Sequence, residues 1–276
     1  MIYIAVITIF LLIVTFALFV GVLLGVLDYF SVKWLDKPVY VHFYMRKFDL
    51  PKSKEQIIKN HFEFYNHLSF KQKQFFKHRV VKFMNKYQFI PKDNIVITEE
   101  MKIIIASTAV KLTFGMRNYL VNVFDKIIIY PKPYYSTVND AWHKGEFNPR
   151  MRAIVFSWED FMEGIRVKND NYNLGLHEFT HAIHFHGKKN DDVSAYLFTK
   201  KFNKIIHFVS QPEVQERLKQ TQYLREYAYT NPFEFIAVLM EHFFETPQEL
   251  QSDFPELYEK VRKMINFSPK LQDTKK

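Results

Sequence analysis

The segment Leu174 to Gly187 reads LGLHEFTHAIHFHG and sets two histidines, His177 and His181, four residues apart with Glu178 beside the first. On a helix such positions lie one turn apart on the same face. Two neutral imidazoles in that geometry can hold one Zn²⁺ at ~2.0–2.1 Å. Glu178 then falls within reach of a water on that ion, whose pKa zinc lowers toward ~7. The carboxylate can take the water's proton and later deliver it to a leaving amine. This is the H-E-x-x-H pattern, and the chemistry it points to is hydrolysis of a peptide bond. His184 shares the face but lies ~10.5 Å further along the axis than His177, too far to join the same ion. The longer H-E-x-x-H-x-x-G-x-x-H pattern fails, because His184 and Gly187 stand at its Gly and third-His positions.

A catalytic zinc wants a third protein ligand and an open position. The segment Glu226 to Glu245 reads EYAYTNPFEFIAVLMEHFFE. Asn231 suits an N-cap, Pro232 the first helical position, and Glu234 the third. Glu234 therefore also reads as the carboxylate of a capping box. Glu241 follows seven residues later on the same face. One of the two could be a ligand and the other a partner that orients a ligand; spacing does not choose between them.

The elements that position these groups follow from apolar period and punctuation. Asn173 is a fitting N-cap for the histidine-bearing helix, and Leu174, Leu176, Phe179 and Ile183 would bury it. From Phe62 to Tyr87 apolar residues recur at helical spacing, with Phe76, Val80, Phe83, Met84 and Tyr87 as the face. Residues 38–48 alternate weakly and read as a strand or an extended link. Pro91 to Asn94 reads as a turn and 95–97 as a short strand. Thr98 then caps a helix with Glu99 and Glu100 in its first turn, expected to run to Phe114 and stop at Gly115. Strands are expected at 126–131 and 152–158, separated by a loop carrying Pro131, Pro133, Asn139, Gly145 and Pro149. From Asn173 onward the pattern is helical, with breaks expected at Gly187, near Pro212, at Thr230-Asn231-Pro232, at Pro247 and at Pro255. The order defines an α+β domain with a mostly helical C-terminal half and a small sheet.

Composition narrows the function. The 276 residues contain no Cys, which removes disulfides, thiolate metal sites and thiol nucleophiles. Only 7 Gly are present, and neither phosphate-cradling glycine motif occurs, so nucleotide binding has no support. The net charge of +9 comes from scattered Lys residues without a nucleic-acid motif; it reads first as a surface near anionic lipid, and nucleic acid is not expected as a partner. Ile2 to Leu27 carries no charged side chain and exceeds the ~20 residues that cross a bilayer core. No basic n-region or small-x-small cleavage site accompanies it, which favours a single membrane span over a signal peptide. Lys33, Lys37, Arg46 and Lys47 follow it, so the positive-inside bias puts the C-terminal domain in the cytoplasm.

Taken together, H-E-F-x-H and the later Y-x-x-x-N-P-x-E-F-x-A-V-x-x-E-x-F-F-E-x-P resemble the Mlc titration factor A family of zinc peptidases, which is related to the metalloprotease domain of anthrax lethal factor. The resemblance extends to ITEEMKIIIASTAVKLTFG, IIIYP, DAW, IVFSW and FPELYEKV, and covers roughly residues 60 to 268. It implies a zincin-like peptidase domain over 61–268; the uncharged run before it reads as a transmembrane anchor over 1–30, which leaves a juxtamembrane segment over 31–60 and a tail over 269–276. It implies His177, His181 and Glu234 as zinc ligands, in preference to Glu241, with Glu178 as general base. By the same resemblance Tyr227 would donate a hydrogen bond to a tetrahedral oxyanion; from the sequence it reads equally as an ordinary aromatic at a helix end. The implied substrate is a peptide or protein; the family also suggests binding to a transcriptional regulator, with zinc serving structure. Three departures stand out: His184 replaces an Asp usual in the family, the stretch to Gly187 is one residue shorter, and the N-terminal anchor is additional.

Overall fold

The computed structural model describes residues 1–136 and 140–267. Asn139, residue 268 and the expected tail lie outside the described residues. Contacts divide the chain into two units, Met1–Val41 and His42–Lys276.

The first unit is dominated by helix α1, Ile2–Leu35, none of whose residues is buried. It outlasts the uncharged run because Asp28 and Lys33 are accommodated on a helix whose last turn closes at Asp36 in the left-handed conformation (φ 53°). At 34 residues and ~1.5 Å each it is longer than a bilayer core and could span one.

The second unit starts at His42, well before the boundary expected at 61. Leu50 and Ile58 are buried in its core, and that burial recruits the preceding segment. Residues 42–48 form no strand; His42 stacks on Phe75 (4.6 Å), and Tyr44 packs tilted against His78 (4.1 Å). In order follow α2 (Lys52–His61), α3 (Glu63–His67), α4 (Phe70–Lys86), β1 (Gln88–Pro91), α5 (Glu99–Thr113), β2 (Lys126–Tyr130), β3 (Tyr134–Ser136), β4 (Ala141–His143), β5 (Gly145–Asn148), β6 (Ala153–Ser157) and α6 (Trp158–Arg166). The helical half comprises α7 (Leu174–Lys189), α8 (Val193–Val209), α9 (Pro212–Thr221), a 3-10 turn (Glu226–Tyr229), α10 (Pro232–Glu245), α11 (Pro247–Asp253) and α12 (Pro255–Met264).

Several expectations are corrected. The helical period over 62–87 is interrupted, because Ser69 and Gln72 form a capping box that starts α4 afresh. The strand falls before the turn at Asp93-Asn94, not after it: Gln88 to Pro91 pair in parallel with β2, whereas 95–97 merely lie against the core through Ile95 and Ile97. The expected loop contains three strands, β3 paired with β4 and β5 paired antiparallel with β6. Gly187 does not end α7; the break comes after Lys189, where Asp192 caps α8 by accepting from the Ser194 and Ala195 N–H groups. Thr98 caps α5 as expected, and α9, α10, α11 and α12 each begin on a proline. Gly115 follows α5 for a different reason than supposed: it has no positive φ, but an added Cβ would lie 2.3 Å from the Ile265 and Asn266 carbonyl oxygens.

The sheet runs β1-β2-β6-β5, with the first three parallel and β5 an antiparallel edge. Strand alternation divides its faces. Ile127, Ile129, Ile154 and Phe156 enter the main core, while Ile128, Val155 and Ala153 form a second cluster with Tyr134 of the β3-β4 hairpin. Helix α5 is buried almost all round, packed against α4, α2 and α7. This is the α+β architecture expected, and its centre is the pair α7 and α10.

Candidate metal centre

Helix α7 begins where Asn173 Oδ1 accepts the Leu176 N–H (3.0 Å). Its buried face carries Leu176, Phe179 and Ile183 into the core, so His177, Glu178 and His181 are held on a rigid element, all less than a tenth exposed. Helix α10 begins at Asn231, whose Oδ1 accepts the N–H groups of Phe233 (2.9 Å) and Glu234 (3.0 Å). The Glu234 carboxylate turns to α7: Oε2 lies 3.0 Å from His177 Nε2 and 3.3 Å from His181 Nε2. Ligand atoms from the three residues fall within 4.8 Å of one another, and His177, His181 and Glu234 could hold a metal ion.

Glu241, left open by spacing, takes the other side of His177. Its Oε2 is 3.4 Å from His177 Nδ1 and accepts from Arg225 Nη2 (2.6 Å), while Oε1 accepts the Asn173 N–H (2.9 Å). An Nδ1–H donated to Glu241 leaves Nε2 free to face a metal. His181 is oriented differently: its ring lies parallel to Phe233 at 4.0 Å, and its buried Nδ1 has no partner among the described residues. His184 is buried among Phe198, Phe202 and Phe233 and takes no part in the cluster.

Glu178 Oε2 accepts the N–H of Phe147 on the edge strand β5 (2.8 Å). Gly145 makes this approach feasible: an added Cβ would sit 2.6 Å from Leu174 Cδ1 and 3.2 Å from Glu178 Cγ. Burial pushes the Glu178 carboxyl up from the ordinary carboxylate range, against the pull of His177 and His181. Tyr227, half exposed, has its ring 6.1 Å from that of His177. Burial and then the charge of Glu234 push its hydroxyl up to about 12, so it is a proton donor at neutral pH.

The donor set fits a divalent metal. Burial pulls His177 down, yet the Glu234 and Glu241 carboxylates outweigh it and hold the imidazole up at about 10. The Glu234 carboxyl is correspondingly held far below its usual range despite its burial. Three carboxylates thus surround two imidazoles, a cluster that calls for positive charge, and two nitrogens with one oxygen are ligands zinc accepts. His177, Glu178, Tyr227 and Glu241 open on a cleft of about 590 Å³ lined also by Trp142, Tyr172 and Arg225.

Arg225, the Phe147 N–H and the stacking ring of Phe233 escaped the sequence reading. Arg225 lies just before the EYAY segment and carries no motif, and a backbone N–H leaves no mark on sequence at all.

A buried helix bearing two histidines, met by a glutamate from a second helix beside a small mixed sheet, defines a metallopeptidase-like domain. The chain belongs to the glucose-regulated metallo-peptidase M90 family, whose model matches residues 40–265. It is 26% identical to an uncharacterized protein of Synechocystis, across 92% of this chain and 97% of the relative. It is 22% identical to a protein of Serratia proteamaculans named Mlc titration factor A, across 67% of this chain and 76% of the relative. A Yersinia pestis protein of the same name is 24% identical, across 67% of this chain and 74% of the relative.

Proposed function

We propose that this chain is a zinc-dependent peptidase tethered to a membrane by its N-terminal helix. The observation that carries the reading is the convergence of His177 Nε2, His181 Nε2 and Glu234 Oε2, with the carboxylate of Glu178 on the same helix. His177, His181 and Glu234 hold the metal. A bound zinc ion supplies Lewis acidity, which activates a water near neutral pH and polarises the scissile carbonyl. Glu178 accepts the water's proton; its raised affinity for protons suits it to carry that proton and deliver it to the leaving amine. The Phe147 N–H fixes the carboxylate's position. Tyr227, protonated and at the cleft, donates a hydrogen bond to the oxyanion that forms as the carbonyl is attacked. Glu241 and Arg225 keep His177 in its ligating tautomer. The test is zinc content and peptide hydrolysis of the full chain against Glu178→Gln, which keeps the metal and loses hydrolysis by about 10²–10⁴-fold. Wild-type activity in that variant overturns the mechanism.

The cationic residues after the span, Lys33, Lys37, Arg46 and Lys47, support a cytoplasmic side for the domain. A reporter fused to the C-terminus that is active only outside the cytoplasm refutes this orientation. The name shared by two relatives favours a second reading, in which the domain binds a transcriptional regulator and zinc is structural. Glu178→Gln separates the two, since regulator binding survives that substitution and peptidase activity does not.

A further inference from the structure

The start of the second unit carries a surface that the peptidase reading does not use. Along residues 42–45 the side chains alternate: His42 and Tyr44 turn inward against Phe75, while Phe43 (72%) and Met45 (97%) stand exposed. Phe70, at the start of α4, is 80% exposed. Cations lie over two rings of the same stretches. Lys47 and Lys71 both lie over the Phe75 ring, at 5.3 and 5.9 Å, and Lys82 lies over Phe48 at 5.7 Å. The shared partner Phe75, and Phe48 stacked on His78 of α4, bring the two stretches together as one patch. Asp49, the acid of the same segment, is paired with Lys77 (2.6 Å) and does not cancel the remaining cations.

Large exposed apolar side chains cost solubility unless something covers them. Aromatic and Met side chains interleaved with Lys suit the boundary between headgroups and acyl chains, where the apolar parts sink and the ammonium groups meet anionic phosphates. The connectivity of the chain points to the same occupant. Only residues 36–41 separate α1 from His42, a tether of at most roughly 20–25 Å. The tether keeps His42 close to the C-terminal end of α1, on the side where α1 leaves a bilayer that it crosses.

We propose that Phe43, Met45, Phe48 and Phe70, with Lys47, Lys71 and Lys82, dock the folded unit onto an anionic membrane surface. The inference rests on the reading of α1 as a membrane span.

The chain has no Cys, so single labels are clean. Met45→Cys, Phe70→Cys and, as a site outside the patch, Tyr196→Cys carry an environment-sensitive fluorophore in the full chain, one chain per nanodisc. The discs are of phosphatidylcholine alone or mixed with phosphatidylserine. Co-elution with the disc reports α1, and the labels report the patch. Labels at 45 and 70 shift to the blue and are quenched by tail-labelled lipid in the phosphatidylserine discs, while the label at 196 is unchanged. The triple variant Lys47→Glu, Lys71→Glu and Lys82→Glu returns both to their water-exposed spectra with the chain still in the disc. If labels at 45 and 70 stay water-exposed in discs that hold the chain, the docking surface is refuted. It is equally refuted if their shift ignores both phosphatidylserine and the Lys→Glu changes. A shift that appears only with two chains per disc assigns the patch to a second copy instead.

Discussion

Glu241 and Glu234, both on α10 and two turns apart, grip the imidazole of His177 on α7 from its two nitrogens: Glu241 Oε2 stands 3.4 Å from Nδ1 and Glu234 Oε2 3.0 Å from Nε2. The first contact fixes which nitrogen keeps its proton, and the second lies where a metal would be shared. The two glutamates are chemically identical, so their different roles come from position alone.

Glu241→Gln removes the charge that holds the His177 Nδ1 proton. Zinc affinity, measured by chelator competition, is expected to fall about 10–100-fold with the fold intact. Glu234→Gln, which removes a proposed ligand, is expected to weaken metal binding further. Equal or tighter zinc binding in Glu241→Gln would show that its contact with His177 does not matter.

Gly145→Ala tests the edge strand. Its Cβ would collide with Leu174 at 2.6 Å and crowd Glu178, pushing β5 off α7. The Phe147–Glu178 hydrogen bond should be lost, and kcat should drop at least about tenfold while metal content is kept. A variant with wild-type kcat would show that the β5 contact is dispensable.

Arg79 is fully buried and donates to the carbonyl oxygens of Thr113 (3.0 Å), Phe114 (3.1 Å) and Met116 (2.9 Å) and to the Tyr44 hydroxyl (2.7 Å). Arg79→Met leaves these acceptors without their donor. We expect a loss of about 3 kcal/mol or more in urea unfolding; a loss below ~1 kcal/mol would contradict this account of the α5 C-terminus.

Stability should fall in mild acid. Burial holds His78 and His242 down at about 4, and His78 Nδ1 accepts the Phe48 N–H (3.0 Å), which requires a neutral ring nitrogen. Their folded pKa values lie below the unfolded ~6.5, so the unfolded chain binds more protons between the two. Their contribution is complete above pH ~6.5 and is lost as the pH falls toward ~4, on the order of 2 kcal/mol for each. Urea midpoints at about pH 7 and about pH 5 measure it, and His78→Gln should flatten the dependence. An unchanged slope in that variant would show that His78 does not titrate on unfolding.

Much of this was legible before any coordinates. His177, Glu178 and His181 are bound by a local rule, because the helical repeat alone puts i and i+4 on one face. The starts of α5 and α10 were also local, since Thr98, Asn231 and Pro232 satisfy or remove backbone donors within one turn. The strand at 95–97 failed because β-branched composition does not select a partner: β2 pairs with 88–91, on the other side of a turn that two left-handed residues create. β5 was invisible for the same reason, a short edge segment with a glycine and no alternation, made a strand only by β6 beside it.

The sequence by itself determined the pair of histidines with their glutamate, the apolar helix at the N-terminus and the helical C-terminal half, because each depends on contacts within a few residues. Only the tertiary structure decided that Glu234 faces Nε2 and Glu241 faces Nδ1. It also decided that Arg225 and a backbone N–H of β5 complete the surroundings. Those assignments depend on how α10 crosses α7 and how β5 lies on it, and side-chain packing between elements distant in sequence sets both.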